Sequence, residues 1–160
     1  MKSDDAANVA LIERFYNAFS RRDPDAMLAC YHHGVTFSDP VFPALDALGA
    51  ASMWRMLCTR GKDLVLAVSE IRADASTGSA RWVATYTFSA TGRKVTNRID
   101  AAFDFKDALI VRHVDRFSLW RWAAMALGPK GALLGWSPPV RAAIRAQAAK
   151  SLAAFAGAQA

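Results

Sequence analysis

The sequence lacks most features that mark a secreted, disulfide-stapled or membrane-spanning protein. Its 160 residues contain only two cysteines, Cys30 and Cys58, and these do not form a CxxC pair. Isolated thiols are typical of a reducing compartment, so we expect a cytoplasmic protein without disulfides. Residues 2–5 are polar and partly acidic, which is unlike a secretory signal. No apolar run approaches the length of a membrane span.

The motifs of common metal and nucleophile chemistry are missing as well. The chain has no HExxH motif and no Cys/His cluster that would predict a set of metal ligands. It has neither a glycine-rich phosphate loop nor a GxSxG nucleophile motif. We therefore expect no metal and no cofactor.

The charge is basic but dispersed. Twenty Lys and Arg against fourteen Asp and Glu give a formal net charge of +6. These residues are spread along the chain without a run of five or six like charges. Proteins that bind nucleic acids usually cluster their basic residues and carry a known reader motif. We expect a moderately basic surface and no nucleic-acid partner.

Hydrophobic periodicity predicts one α+β domain. Helical spacing of apolar residues predicts three helices, over residues 4–19, 24–31 and 45–59, with His32 and His33 at the end of the second. Strand alternation follows, over residues 35–38, 64–71, 80–89, 94–105 and 109–119, and a last helix is predicted over 138–155. Helices that precede hairpin-linked strands favour an antiparallel sheet covered by helices on one face.

Two neighbouring strands carry charged residues, and the sequence leaves open which face of the sheet they occupy. His113, Asp115 and Phe117 alternate on the more apolar face of the last strand. Arg98 and Asp100 share one face of the strand before it. Either they point toward Asp115 and form an Arg between two carboxylates, or they belong to a solvent face.

Asp39 is the third acid of interest. It ends the short strand 35–38 and precedes Pro40, a pattern typical of a turn residue. The functional alternative makes Asp39 a general base at the mouth of a pocket.

The order of these segments resembles the nuclear transport factor 2-like superfamily, in its SnoaL-like and ketosteroid isomerase-like branch. The resemblance covers residues 9–120, and the segments that carry it are Phe15-Tyr16-Asn17-Ala18-Phe19, Val35-Thr36-Phe37-Ser38-Asp39-Pro40, Arg98-Ile99-Asp100 and residues 110–117. It implies a cone-shaped, curved antiparallel sheet that encloses an apolar pocket together with the three N-terminal helices. It further implies a domain over residues 1–120 and a homodimer. Residues 121–160 have no counterpart in this resemblance, and we expect them to form a helical extension packed on the same domain.

The isomerase-like branch assigns roles to two of the acids. Resemblance to it implies that Asp39 shuttles the proton and that Asp100 is a protonated acid of the oxyanion hole. The oxyanion tyrosine of that branch falls on Phe15, and Tyr16 is its neighbour.

A limonene-epoxide hydrolase-like branch implies a different use of the same region. There, Arg98, Asp100 and Asp115 would activate a water molecule. The water-orienting Tyr and Asn of that branch fall on Phe37 and Asp39.

We expect a pocket protein that performs acid–base chemistry on a small apolar molecule, as an isomerase, cyclase or hydrolase. The alternatives are a non-catalytic ligand-binding domain and a dimeric interaction module. The residues expected to line the pocket are Phe15, Tyr16, Phe19, Phe37, Trp54, His113 and Phe117.

The segment after Trp120 is amphipathic and basic. It carries Trp120, Trp122, Leu133, Leu134 and Trp136 among Arg121, Arg141, Arg145 and Lys150. We expect it to pack across the pocket entrance or the sheet, and the alternative is contact with a membrane surface or a partner through its Trp and basic residues.

Overall fold

The structure, a computed structural model, describes residues 2–159. Its helices are α1 (Ser3–Ser20), α2 (Pro24–Leu28), α3 (Ala47–Arg60), α4 (Leu119–Leu127), α5 (Pro129–Leu134) and α6 (Pro138–Gln159). Its strands are β1 (Tyr31–Ser38), β2 (Val65–Ala73), β3 (Thr77–Phe88), β4 (Arg93–Lys106) and β5 (Leu109–Arg116). The predicted order is confirmed from α1 to β5 and for α6, whereas α4 and α5 were not predicted as separate helices.

The five strands form one sheet in the order β1-β5-β4-β3-β2. Strands β2 to β5 pair antiparallel, as expected for short links, whereas β1 joins β5 in parallel. Register shifts interrupt β2 between Ser69 and Arg72 and β4 between Asp104 and Phe105. Such bulges bend a strand, which helps the sheet to curve around the helices. The predicted α+β fold with a curved sheet is therefore confirmed, with a parallel pair at one edge.

The N-terminal helices begin and pack as their sequences predict. Asp23 caps α2 by accepting a hydrogen bond from the Ala26 amide, with Pro24 at the first helical position. Helix α1 buries a continuous apolar face, which comprises Leu11, Ile12, Phe15, Tyr16 and Phe19. That face packs on the sheet and forms the main core with α3.

The predicted end of the second helix is wrong. Helix α2 stops at Leu28, and both His32 and His33 lie in β1. The cause is pairing between distant segments: the Cys30 carbonyl accepts a hydrogen bond from the Ile110 amide, and Tyr31 lies beside Ile110 in the parallel pair. A local helical pattern does not reveal such a pairing.

The C-terminal helices pack on the same core. Helix α4 begins one residue after Ser118, whose hydroxyl accepts a hydrogen bond from the Arg121 amide, so β5 ends earlier than predicted. Helix α4 packs on β4 and α6 on α3, where Leu152 is buried in the main core. Among residues 2–159, no helix is both long and apolar enough to cross a bilayer.

Candidate active site

Arg98 and Asp100 lie on the outer face of the sheet. Alternate residues of β4 from Val95 to Phe103 point inward, and both charged side chains fall between them, where they are exposed. Asp100 Oδ1 accepts a hydrogen bond from Arg81 Nε at 3.0 Å, and its side chain is 69% exposed. The expectation that Arg98 and Asp100 face a pocket with Asp115 is wrong, and the solvent-face alternative holds.

Asp115, in contrast, points into the interior. Its residue in β5 pairs with Ala101, an inward position of β4, and only 3% of it is exposed. Asp115 Oδ1 accepts hydrogen bonds from Trp82 Nε1 at 3.4 Å and from His113 Nε2 at 3.0 Å. Both bonds use the same oxygen, which leaves Oδ2 available.

A buried chain of hydrogen bonds supports Asp115. His113 is fully buried, and its Nδ1 lies 2.8 Å from the hydroxyl of Tyr31. That hydroxyl in turn accepts a bond from Trp54 Nε1 at 2.9 Å. The chain is consistent when neutral His113 carries its proton on Nε2, since Nε2 then donates to Asp115 and Nδ1 accepts from Tyr31. Asp115 is thus held directly by His113 of β5 and Trp82 of β3, and His113 is in turn supported by Tyr31 of β1 and, through it, Trp54 of α3.

Asp39 closes β1 and is both a turn residue and a largely buried acid. Its Oδ1 accepts hydrogen bonds from the Val41 amide at 2.7 Å and the Phe42 amide at 2.6 Å. Burial raises the pKa of Asp39 from 3.8 to about 7; the amide bond from Phe42 opposes this rise, and the charge of Asp115 adds to it. An acid of this kind is partly protonated near neutral pH.

Tyr16 brings an unpartnered hydroxyl into the interior. The residue is 2% exposed, and its hydroxyl makes no hydrogen bond. Its ring lies between Trp82 and Phe103, with ring centroids 5.8 and 6.3 Å away. Burial raises the pKa of Tyr16 well above its ordinary value, and the charge of Asp115 contributes. A buried hydroxyl without a partner is uncommon and is a candidate contact for a ligand.

The residues predicted to line a pocket come together. Five are buried in the main core: Phe15, Tyr16, Phe19, Phe37 and Trp54. His113 is fully buried against the rings of Phe15 and Phe37. Phe117 is partly buried and packs against this core and the small core of α4. Their role in binding a ligand stays a prediction.

Three polar aromatic residues of the site were not predicted. Tyr31 and Trp82 belong to the hydrogen-bonded chain around Asp115, and the hydroxyl of Tyr86 accepts a bond from Trp122 Nε1 at 2.9 Å. Burial raises the pKa of Tyr86, and the charge of Asp39 contributes, which places the two groups in the same region. Residues 80–86 alternate Ala-Trp-Ala-Tyr on one face of β3, a pattern that marks this face as inward.

The loop that Asp39 holds also lines an apolar groove. This groove, of about 560 Å³, lies between α3, α6 and residues 41–45. Arg145 of α6 donates a hydrogen bond from Nε to the Pro40 carbonyl at 2.9 Å. Helix α6 therefore covers the loop next to Asp39.

The inward side chains suit proton transfer better than metal binding. Within residues 2–159, no three His, Cys, Asp or Glu side chains are grouped to hold a metal ion. The interior holds Asp115 and the unpartnered hydroxyl of Tyr16 among apolar rings, and the charge of Asp115 contributes to the raised pKa of both Tyr16 and Asp39. Such a set can take, give and stabilise a proton or a developing negative charge.

Solved structures share this fold at low sequence identity. An LEH-like epoxide hydrolase from M. tuberculosis has a TM-score of 0.64 and 18% identity, over 83% of this chain and 98% of that chain. A nuclear transport factor 2-like protein of unknown function from Burkholderia pseudomallei K96243 has a TM-score of 0.67 and 19% identity, over 75% and 97%. A SnoaL-like protein from Jannaschia sp. CCS1, provisionally a polyketide cyclase, has a TM-score of 0.71 and 12% identity, over 81% and 97%.

A match to a family sequence profile, rather than the shared fold, shows which family the chain belongs to. No curated protein gives a significant match to the chain. The sequence profile of the SnoaL-like domain matches residues 12–113, which is more than half of the chain and spans α1 to β5. The protein belongs to the SnoaL-like domain family.

Proposed function

We propose that the protein is an enzyme that moves a proton on a small apolar molecule, with Asp39 as the general base. The observation that carries the proposal is the placement of Asp39 at the end of β1, where the Val41 and Phe42 amides hold its Oδ1 and burial raises its pKa to about 7. A base whose pKa lies near the working pH both removes a proton and returns it efficiently. The apolar rings around the site suit an apolar substrate.

Tyr16 supplies the second role in this proposal. As Asp39 Oδ2 takes a proton from the carbon beside a carbonyl, the C–H electron pair forms a carbon–carbon double bond and the π pair of the carbonyl moves to its oxygen, which gives an enolate. The free O–H of Tyr16 donates a hydrogen bond to that oxygen and stabilises its charge. Protonated Asp39 then returns the proton to another carbon, as in isomerisation. In cyclisation the enolate carbon instead attacks a second carbonyl of the same molecule, and protonated Asp39 gives its proton to the alkoxide that forms.

Asp115 acts on Asp39 rather than on the substrate in this scheme. Its charge contributes to the raised pKa of Asp39, and His113 and Trp82 fix its position. Epoxide hydrolysis through an Asp-Arg-Asp set is disfavoured, since Arg98 and Asp100 lie on the outer face.

Binding without catalysis is the competing proposal. It is favoured by Phe15 at the position of the family's tyrosine, and it needs only the apolar surroundings of the site. Homodimerisation and a cytoplasmic location stay predictions that rest on family resemblance and on cysteine usage.

Proton exchange in deuterated water tests the enzyme proposal. A panel of small apolar ketones is incubated with the protein, and NMR follows replacement of the α-hydrogens by deuterium. We expect Asp39→Asn to lower the exchange rate at least about 100-fold. Tyr16→Phe should lower it by a similar factor, because one oxyanion donor is lost.

The matched control is Asp100→Asn, which alters an acid outside the site and should exchange like the unmodified protein. Quenching of tryptophan fluorescence reports ketone binding in parallel. Binding without exchange, or equal exchange by Asp39→Asn and the unmodified protein, would show that the site binds without this catalysis.

A further inference from the structure

The surface of α4 and α5 exposes a continuous apolar area, which we call the Trp patch. It consists of Trp120, Leu133, Leu134 and Trp136, which are 49%, 72%, 45% and 57% exposed. The residues are neighbours in space, because Trp120 Nε1 donates to the Ala132 carbonyl at 2.9 Å and Trp136 Nε1 donates to the Leu133 carbonyl at 2.8 Å. Clustered apolar side chains on a surface mark a site of contact with another protein, a membrane or a ligand.

The Trp patch is not needed to build the core. Helix α4 buries its opposite face, with Leu119, Trp122, Ala123 and Ala126, against β4 and its neighbours. Helix α5 is held against α4 at Gly131, where a Cβ would meet the Ala123 carbonyl oxygen at 1.9 Å. The patch is therefore an outward face of a fixed helical pair, and both indole N–H groups are already bonded to backbone.

Charge is segregated in the same part of the chain. Residues 1–115 contain fourteen basic and fourteen acidic side chains, so they carry no net charge. Residues 116–160 contain six Lys and Arg and no acid, and they carry the whole net charge of +6. Arg121 follows Trp120, Lys130 precedes Leu133 by about one turn, and both basic side chains are exposed.

We propose that the Trp patch docks the protein on the surface of an anionic lipid bilayer. Tryptophan and leucine enter the boundary between headgroups and acyl chains, and neighbouring Lys and Arg are drawn to anionic headgroups. A second copy of the chain is a poorer occupant. A two-fold interface would bring Arg121 and Lys130 of both copies together without an acid in the segment to neutralise them.

Vesicle binding tests this docking surface and is independent of any catalytic activity. The full chain is mixed with vesicles of phosphatidylcholine, alone or with about one third phosphatidylglycerol, and sedimented at low salt. We expect co-sedimentation with the anionic vesicles and a blue shift of tryptophan emission. The shift should come from Trp120 and Trp136, since the other three tryptophans, Trp54, Trp82 and Trp122, are already buried.

Two variants separate the apolar and ionic contributions. Leu133→Ser with Trp136→Ser should abolish co-sedimentation, since half of the patch is removed. Arg121→Gln with Lys130→Gln should weaken binding about 25-fold, because each basic residue near the surface contributes a factor of about five. Added salt should weaken the unmodified protein in the same direction.

The matched control removes exposed apolar side chains elsewhere: Leu48→Ser with Val65→Ser, which are 81% and 65% exposed in the unmodified chain. It should bind like the unmodified protein, and thermal melting verifies that every variant is folded. Equal binding to neutral vesicles, no binding at all, or undiminished binding of the patch variant would overturn the proposal. A dimer that becomes a monomer in the patch variant would overturn it as well, in favour of self-association.

Discussion

Asp39→Asn gives a direct physical test of the site through folding stability. The pKa of Asp39 is about 7 in the folded protein, against 3.8 for an ordinary Asp. The folded state thus holds this proton more tightly than the unfolded chain does. The group therefore favours folding fully below about pH 4, and this contribution is lost as the pH rises toward 7.

The size of the effect follows from the shift. Three pKa units correspond to about 4 kcal/mol in the free energy of unfolding, and solvent access to the carboxylate makes this an upper limit. Asparagine keeps an oxygen for the Val41 and Phe42 amides but does not ionise. The Asp39→Asn protein should consequently lack this loss and be the more stable of the two at about pH 8.

Urea unfolding at several pH values between about 5 and 8 measures the difference. Asp74→Asn is the matched control, because Asp74 also accepts bonds from two turn amides but is exposed, and these bonds lower its pKa to about 2. Its effect on stability should be the same throughout this range. If the Asp39→Asn effect is equally constant, Asp39 is ionised at every pH tested and the reasoning behind its role as a neutral-pH base fails.

Three other substitutions test the packing and the limits of the site. Gly131→Ala places a Cβ within 1.9 Å of a carbonyl oxygen of α4 and should lower the melting temperature by several degrees, whereas Gly157→Ala, with open space around it, should not. His113→Phe removes the shorter of the two hydrogen bonds to the buried Asp115 and leaves only the 3.4 Å bond from Trp82 Nε1. It should cost about 3 kcal/mol in urea unfolding, and a cost near zero would contradict the hydrogen-bonded chain. Asp100→Asn removes only an exposed ion pair and should cost less than about 1 kcal/mol; a larger loss would mean that this acid is more than a surface partner.

The direction of charged side chains in a strand depends on register, which is only partly visible in sequence. Alternation shows that Arg98 and Asp100 share a face, but the face becomes definite only through pairing with β5. In the structure Ala101, not Asp100, lies opposite Asp115, and directly paired residues point to the same side of a sheet. The alternate residues from Val95 to Phe103 are buried, which indicates that Arg98 and Asp100 face solvent. The family resemblance had implied the opposite, that both residues face a pocket.

The support of Asp115 could not be predicted from local patterns. The bond between Tyr31 and His113 joins residues 82 positions apart and exists because β1 joins β5 in parallel. The helical pattern before residue 31 hid the start of β1, and with it the inward direction of the Tyr31 hydroxyl. Positions within long periodic segments, such as the buried face of α1, were predictable because their periodicity is local.

Asp39 and Asp74 show why an acid in a turn cannot be assigned from its motif alone. Each accepts two backbone amide bonds on one oxygen, and such bonds lower a carboxyl pKa when nothing opposes them, as at Asp74. At Asp39 burial and the charge of Asp115 outweigh the same bonds. Arg145 donates from Nε to the carbonyl of the neighbouring Pro40. Within residues 2–159 no Lys, Arg or His side chain forms an ion pair with Asp39, so burial is not offset by a counter-charge and the acid can exchange its proton near neutral pH.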